Sequence, residues 1–234
     1  MKLKKKINNK DIFCLIPARA GSKRVPNKNI KKLNNLELFV HTIKFAKSFS
    51  FLEICFSTDS KKYKKIAEKY IKVDQLRPKK LSLDNVKTYD VFKYELNRVE
   101  KKLNKKFKYL LLLQPTVPFR KKNHLIRAFK YIKSKLVDSI VTINPVGGVH
   151  PYRMKIIKNG LTKNFSKEKK ENMIPIQKLP KVYIRSGSIY MIKREAFFKY
   201  KNLLGKNVKP IIVENKFAIN IDEVKDLEEA KKYF

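Results

Sequence analysis

An α/β fold built on a largely parallel sheet is what this chain predicts, on three observations. Short apolar runs alternate with longer amphipathic segments, two of the runs are apolar almost throughout, and the first run ends in a glycine-containing basic loop. Alternating strands and helices build a right-handed sheet covered on both faces. Unbroken apolarity marks a strand buried on both sides. In open sheets of this kind ligands bind at the carboxyl ends of strands, where the basic loop lies.

In chain order, residues 12–17, 53–58, 109–114 and 139–144 read as strands, being brief and rich in β-branched or large apolar residues. The first and third carry the unbroken apolarity. Residues 38–49, 61–70, 88–103 and 122–133 place apolar side chains at helical spacing. The Asp59-Ser60 pair can cap the second helix, and Asp84 lies just before the third. From about residue 145 the periodicity fades, and Gly147-Gly148, Pro151, Gly160, Pro175 and Pro180 interrupt a charged stretch. That segment, about 145–186, is expected to leave the main body as a dimerisation arm, a substrate lid or a long loop. Strands at 188–192, 210–213 and 217–221 resume the sheet, and a helix over 223–233 closes it. The expected organisation is one domain over residues 1–234 with that single insertion.

Composition fits this reading. A chain of 234 residues with 43% hydrophobic content buries roughly 70% of the surface its unfolded form exposes. The formal net charge of +37 invites a nucleic-acid partner. Only nine of the 57 basic residues are Arg, however, the type that bidentate phosphate or base recognition favours. The lysines are scattered among plentiful Asn, Ile, Phe and Tyr, as codon usage in an A/T-biased genome produces. Nucleic acid is therefore not the expected partner, although a basic surface still attracts a triphosphate. Cys14 and Cys55 sit inside apolar runs and read as buried free thiols, which suits a reducing cytosol. A membrane span needs about 20 apolar residues, and no such run exists. Residues 1–6 resemble a signal n-region, but the apolar stretch 12–18 is too short and Arg19 follows at once. The expected location is the cytoplasm.

The loop after the first strand carries the chemistry. Arg19, Lys23, Arg24 and Lys28 bring four cations within ten residues, enough to compensate a triphosphate, and Ser22 adds a hydroxyl donor. Gly21, one of only six glycines, lets backbone amides approach phosphate oxygens closely. A Walker loop is absent.

Ile16-Pro17-Ala18-Arg19-Ala20-Gly21-Ser22-Lys23-Arg24-Val25-Pro26-Asn27-Lys28-Asn29-Ile30 resembles the signature of acylneuraminate cytidylyltransferases, the CMP-sialic acid synthetases and their legionaminic and pseudaminic acid relatives. The resemblance continues in order through Ser57-Thr58-Asp59, Leu76-Arg77-Pro78, Leu113-Gln114-Pro115-Thr116-Val117-Pro118, Leu179-Pro180, Gly187-Ser188-Ile189-Tyr190 and Ile219-Asn220-Ile221-Asp222. It implies a single Rossmann-like nucleotidyltransferase domain with a mixed, mostly parallel sheet, acting as a homodimer that exchanges a small arm near residues 145–180. The implied reaction transfers CMP from CTP to the anomeric hydroxyl of a sialic-acid-like nine-carbon sugar and releases pyrophosphate, with Mg²⁺ or Mn²⁺ as cofactor. A cytidylyltransferase for another acidic sugar, or a nucleotide- or polyanion-binding protein without turnover, stays open beside it.

Roles carried over by the resemblance give Arg19, Lys23 and Lys28 to the triphosphate, with Ser22 and Asn29 supporting the loop and Arg77 reaching the base. Gln114, Arg153, Arg185 and Tyr190 fall to the sugar side, with Arg153 toward the sugar carboxylate. Arg19, Lys28 and Asp222 are the implied catalytic groups. The related 3-deoxy-octulosonate enzymes have an aspartate metal ligand at the position of Gln114 and a lysine-proline pair at that of Lys28-Asn29, so both positions favour the nine-carbon branch. Where the family has Asp-x-Asp for its metal, this chain has Asn220-Ile221-Asp222. A strand there would turn both side chains to one face, Asn220 offering a carbonyl oxygen without charge. Asp226 and Glu223 read as helix-start residues. The arginine usual shortly before Leu179-Pro180 is missing from Ile176-Gln177-Lys178, and Arg185-Ser186-Gly187 lacks the usual asparagine before its glycine.

Overall fold

In a computed structural model, which describes residues 10–166 and 173–233, the strands are β1 (Ile12–Pro17), β2 (Lys32–Leu33), β3 (Leu36–Glu37), β4 (Leu52–Ser57), β5 (Tyr109–Leu112), β6 (Ser139–Pro145), β7 (Lys155–Lys158), β8 (Leu161–Asn164), β9 (Tyr183–Lys193) and β10 (Val208–Ile212). The helices are α1 (Leu38–Lys47), α2 (Lys61–Glu68), α3 (Thr88–Leu103), α4 (Lys122–Ile132), α5 (Arg194–Tyr200) and α6 (Val224–Lys231). The leader-like residues 1–6 lie outside the described residues. No described helix is long and apolar enough to cross a membrane.

Six strands form one sheet in the order β10-β6-β9-β5-β1-β4. β1 runs parallel to β4 and β5, and β10 parallel to β6, while β9 is antiparallel to both its neighbours. The sheet is thus mixed and mostly parallel. Alternation along β1 explains its unbroken apolarity. Ile12, Cys14 and Ile16 enter a core with α1, α2 and α4, whereas Phe13 and Leu15 enter the opposite core with α3 and α5. Cys14 and Cys55 are buried free thiols, and burial pushes both pKa values up.

Three expectations change and one is sharpened. Residues 217–221 form no strand. A 3-10 turn (Asn215–Phe217) leads into a segment whose Ile219 and Ile221 pack against Leu227 and Ala230 of α6, and which meets the loop after β5 through Ile221 N–H to Thr116 O, 2.8 Å. Alternation there encodes burial without pairing. Asp84 does not cap α3, whose first turn is preceded by Lys87. At α2 the capping oxygen is Ser60 Oγ, accepting from Tyr63 N–H, which frees Asp59 for other work. Finally, β9 reaches back to Tyr183, so the sheet claims Tyr183, Ile184, Arg185 and Ser186 from the expected insertion.

That early part of β9 is irregular. The register against β6 shifts between Val141 and Ile143, and Gly187 stands at φ +75° within the strand. The insertion itself carries the β7–β8 hairpin, turned at Asn159-Gly160 with both residues at positive φ, as a type I′ turn requires. All eight hairpin strand residues are exposed.

Candidate active site

The carboxyl ends of β1 and β5 open onto a cleft of about 520 Å³. The loop after β1 crosses it and is tied to the end of β4. Ala18 N–H donates to Ser57 O (2.8 Å) and Ala20 N–H to Asp59 Oδ1 (2.9 Å). Buried Asn29 donates its Nδ2 to Arg19 O at 3.0 Å, closing the loop on itself. Held this way, Arg19, Ser22, Lys23, Arg24, Lys28 and Asn29 all line the cleft, as do Arg77 and Gln114 from other elements. Gly21 has ordinary φ, and a Cβ there would meet no atom within 4 Å, so nothing in the chain's own packing demands glycine.

All four loop cations meet two carboxylates from distant segments. Arg19 Nη1 and Lys23 Nζ contact Asp84 at 2.6 and 2.5 Å. Lys28 Nζ lies 2.7 Å from Asp222 Oδ1, with Arg24 Nη2 at 3.6 Å from the same oxygen. Lys23 first, then Arg19, holds the Asp84 carboxyl below the usual range. Arg77 is 4% exposed. Its backbone N–H donates to Thr58 O and its Nε to Ser82 Oγ, while its buried Nη2 has no hydrogen-bond partner. Burial lowers the guanidinium pKa, against the pull of Asp59 and Glu95. A buried donor left open beside a cleft is free to meet water or an acceptor on a ligand.

Gln114 also lines a second, adjoining cavity of about 380 Å³, together with Arg185, Tyr190, Lys87 and Lys201. Tyr190 is largely buried, and burial raises its hydroxyl pKa. The structure therefore gathers eight of the sequence-named residues at the cleft and puts Arg185 and Tyr190 next door. Arg153 is not among them. It sits on the insertion, where its Nη2 donates to Ile174 O at 2.8 Å. Neighbouring His150 is structural, accepting from Tyr152 N–H through Nδ1 and meeting Pro180 O through Nε2.

Asn220 and Asp222 share no strand face, but their side chains touch, Asn220 Nδ2 donating to Asp222 Oδ2 at 2.6 Å. Asp226 Oδ2 accepts from Asp222 N–H and, with Glu223, forms the capping box of α6. Among the described residues no group of three His, Cys, Asp or Glu could hold a metal by itself. One carboxylate beside a side-chain amide nevertheless suits Mg²⁺, which completes its shell with phosphate oxygens and water. A half-turn of the Asn220 amide presents Oδ1 in place of Nδ2.

Sequence reasoning missed the site roles of Asp59, Asp84 and Arg120. Asp59 anchors the loop, Asp84 answers two of its cations, and Arg120 donates to Gln114 O (2.6 Å). The one available signal was compositional, since an aspartate amid the lysines of residues 79–87 and one of nine arginines just past Pro118 are both uncommon choices in this chain.

Comparison with known proteins agrees with this geometry. The family model described as Cytidylyltransferase matches residues 13–234. The chain is 32% identical over 218 residues to "Post-translational flagellin modification protein B" of Campylobacter coli, covering 92% of each chain. It is 33% identical to "CMP-N,N'-diacetyllegionaminic acid synthase" of Legionella pneumophila, covering 90% of each. It spans about half the length of the proteins named N-acylneuraminate cytidylyltransferase that it matches. Among solved structures, a CMP:2-keto-3-deoxy-manno-octonic acid synthetase complexed with CTP superposes with a TM-score of 0.67 at 13% identity, over 95% of this chain and 97% of that one, a likeness of fold. With a family model running from the first strand to the last helix, and a cleft lined by that family's loop, this chain belongs to the cytidylyltransferase family.

Proposed function

We propose that the chain transfers CMP from CTP to the anomeric hydroxyl of a nonulosonic acid, a nine-carbon acidic sugar. The observation that carries this reading is the pair of joined cavities, one lined by the four loop cations and the other by Arg185 and Tyr190, with Gln114 common to both. Relatives covered nearly end to end include synthases of a CMP-linked nine-carbon acid.

In this reading the anomeric oxygen attacks the α-phosphorus in line, the bond from that phosphorus to the β-bridging oxygen breaks, and pyrophosphate leaves with its electron pair. The hydroxyl proton passes to solvent. Arg19, Lys23 and Lys28 bind the triphosphate, Ser22 donates to it, and Asn29 keeps the loop closed. Arg77 offers its open Nη2 to an acceptor on the cytosine ring. Gln114 orients the sugar, with Arg185 and Tyr190 lining its cavity. Positioning and charge neutralisation supply most of the acceleration in phosphoryl-type transfer. Cytidylyltransferases generally use a divalent metal, here Mg²⁺ or Mn²⁺ on Asp222 with Asn220 beside it, which neutralises phosphate charge when bound. The insertion serves as the arm of a homodimer, through which Arg153 approaches the sugar carboxylate in the partner's site. The enzyme works in the cytoplasm, in keeping with its two buried thiols.

Purified protein supplied with CTP, Mg²⁺ and a panel of nonulosonic acids is expected to release pyrophosphate with at least one of them. Release with 3-deoxy-octulosonate alone would move the chain to the eight-carbon branch. Tight CTP binding with no release from any sugar would make it a nucleotide-binding protein, the outcome that the neutral Asn220 favours.

A further inference from the structure

Arg120 follows the end of β5 and makes three hydrogen bonds in three directions. Its Nη2 donates to Gln114 O at 2.6 Å, its Nε to Ser188 O at 2.8 Å, and its Nη1 to Thr42 Oγ1 at 3.0 Å. The guanidinium also stands over the Phe45 ring at 5.8 Å. Burial pushes its pKa down to about 9, which leaves it charged at neutral pH, and among the described residues no carboxylate pairs with it. Even a half-buried cation held only by neutral oxygens is a costly structural tie, since an apolar side chain of similar size often fills such a place as well or better. Its acceptors indicate what the charge does.

Two of the three are backbone oxygens flanking one contact. Gln114 Oε1 lies where a Cβ on Gly187 would stand 2.5 Å away, so the amide is pressed against a strand residue that must be glycine. Gly187 sits at φ +75° in the β9 irregularity opposite Thr142. There Ser186 Oγ donates to Thr142 Oγ1 and Ile189 N–H donates to the same oxygen. Arg120 thus grips Gln114 by its own carbonyl and grips the strand at Ser188, the residue after the glycine. A lysine could not span these acceptors, because its ammonium is a point donor on a flexible stem, whereas the guanidinium is a rigid planar fork.

We infer that Arg120 is the positioning residue that fixes the Gln114 amide between the nucleotide cleft and the adjoining cavity, acting through the Gln114 and Ser188 carbonyls. The inference rests on the proposed reading of Gln114 as the sugar-orienting group, so its test has one arm independent of turnover. In that arm the three glutamine side-chain amides, Gln75, Gln114 and Gln177, are followed by ¹⁵N relaxation. Arg120→Lys is expected to shift the Gln114 amide and reduce its order. Gln75, bound to Tyr94 Oη at 2.9 Å, should stay unchanged as the internal control. In the kinetic arm, Arg120→Lys lowers kcat/KM for the sugar by about 10- to 100-fold, the scale of an ångström-level misplacement, while the Kd for CTP stays within about twofold. In a Gln114→Ala background the same change adds nothing further, as two residues acting through one group require.

An unmoved Gln114 amide in Arg120→Lys, or losses that add in the double variant, would overturn the inference. Should Arg120→Lys not fold, Thr42→Val removes a single acceptor and is expected to loosen the same amide to a smaller degree. A wild-type protein that turns over no nine-carbon acid, with Gln114 still loosened in the variant, would overturn the proposed reaction and uphold the positioning.

Discussion

Lys28 is the loop cation with the most at stake, because it is only 14% exposed and already committed to Asp222 at 2.7 Å. On the proposed reading Lys28→Ala removes a cation that neutralises the reacting phosphates, so turnover should fall by about 100-fold or more. The far-ultraviolet circular dichroism and the melting temperature should hardly move, since Asp222 keeps Arg24 and Asn220 as partners. Kinetics beside a thermal melt checks both halves. Asn220 invites the opposite change. Asn220→Asp adds a carboxylate next to Asp222, and charge count tunes divalent affinity, so the metal concentration at half-maximal rate should drop roughly tenfold. A Mg²⁺ titration of the rate reads this directly. Arg19, Lys23 and Lys28 were legible in the sequence because they crowd one short segment. Asp84 was not, because nothing in its local spacing says that its segment folds back over the loop. Arg120 was equally silent, its partners lying 6, 68 and 78 residues away.

Elements were readable where burial alone decides them. The ends of β1 and α3 coincide with the expected spans, since each is fixed by apolar residues meeting two cores or one. Residues 217–221 were misread because the same alternation serves a segment packed against α6 with no partner strand. Helix α5 was missed, being seven residues long and shorter than a periodic pattern can announce. Its first residue has an outsized role. Arg194 donates Nε and Nη2 to the two oxygens of Glu100 at 2.9 and 3.0 Å, pinning α5 to the end of α3. Burial would raise the Glu100 pKa, but Arg194, Phe107 N–H and Lys106 outweigh it and hold the carboxyl low. The stabilisation is therefore present above the ordinary carboxylate range and is lost as pH falls through the lowered value. Arg194→Met should destabilise the fold by about 2 kcal/mol at neutral pH. The deficit should shrink in acid, where Glu100 is protonated in both proteins, as urea melts at two pH values would record.

For the whole molecule, the site was read mainly from linear motifs, and distance from the sheet set the limit. Gln114 and Tyr190 were found because they sit on or beside strands, while Arg153 was named from a motif that the fold carries away on the insertion. The same insertion exposes Ile157 at 80%, Leu161 at 68% and Met173 at 90%, an apolar display of the kind that marks an interface. The homodimer reading makes this a quantitative expectation. Wild-type protein should sediment as a dimer, and Ile157→Glu with Leu161→Glu should yield a folded monomer. Loss of sugar turnover with retained CTP binding in that monomer would accord with Arg153 acting across the interface.

Asp84 and Asp222 leave one more consequence. With both carboxylates seated on the loop's four cations, nucleotide entry on the proposed reading is an ion exchange, in which tethered anions are swapped for a soluble one. A bare cluster of four cations would release a matching set of bound counterions and give a steep salt dependence. Here the counterions are part of the chain and are never released to solvent. The affinity for CTP should therefore weaken with added salt more gently than the loop's cation count suggests. Asp84→Asn should steepen that dependence, as titration calorimetry across a range of ionic strengths would measure.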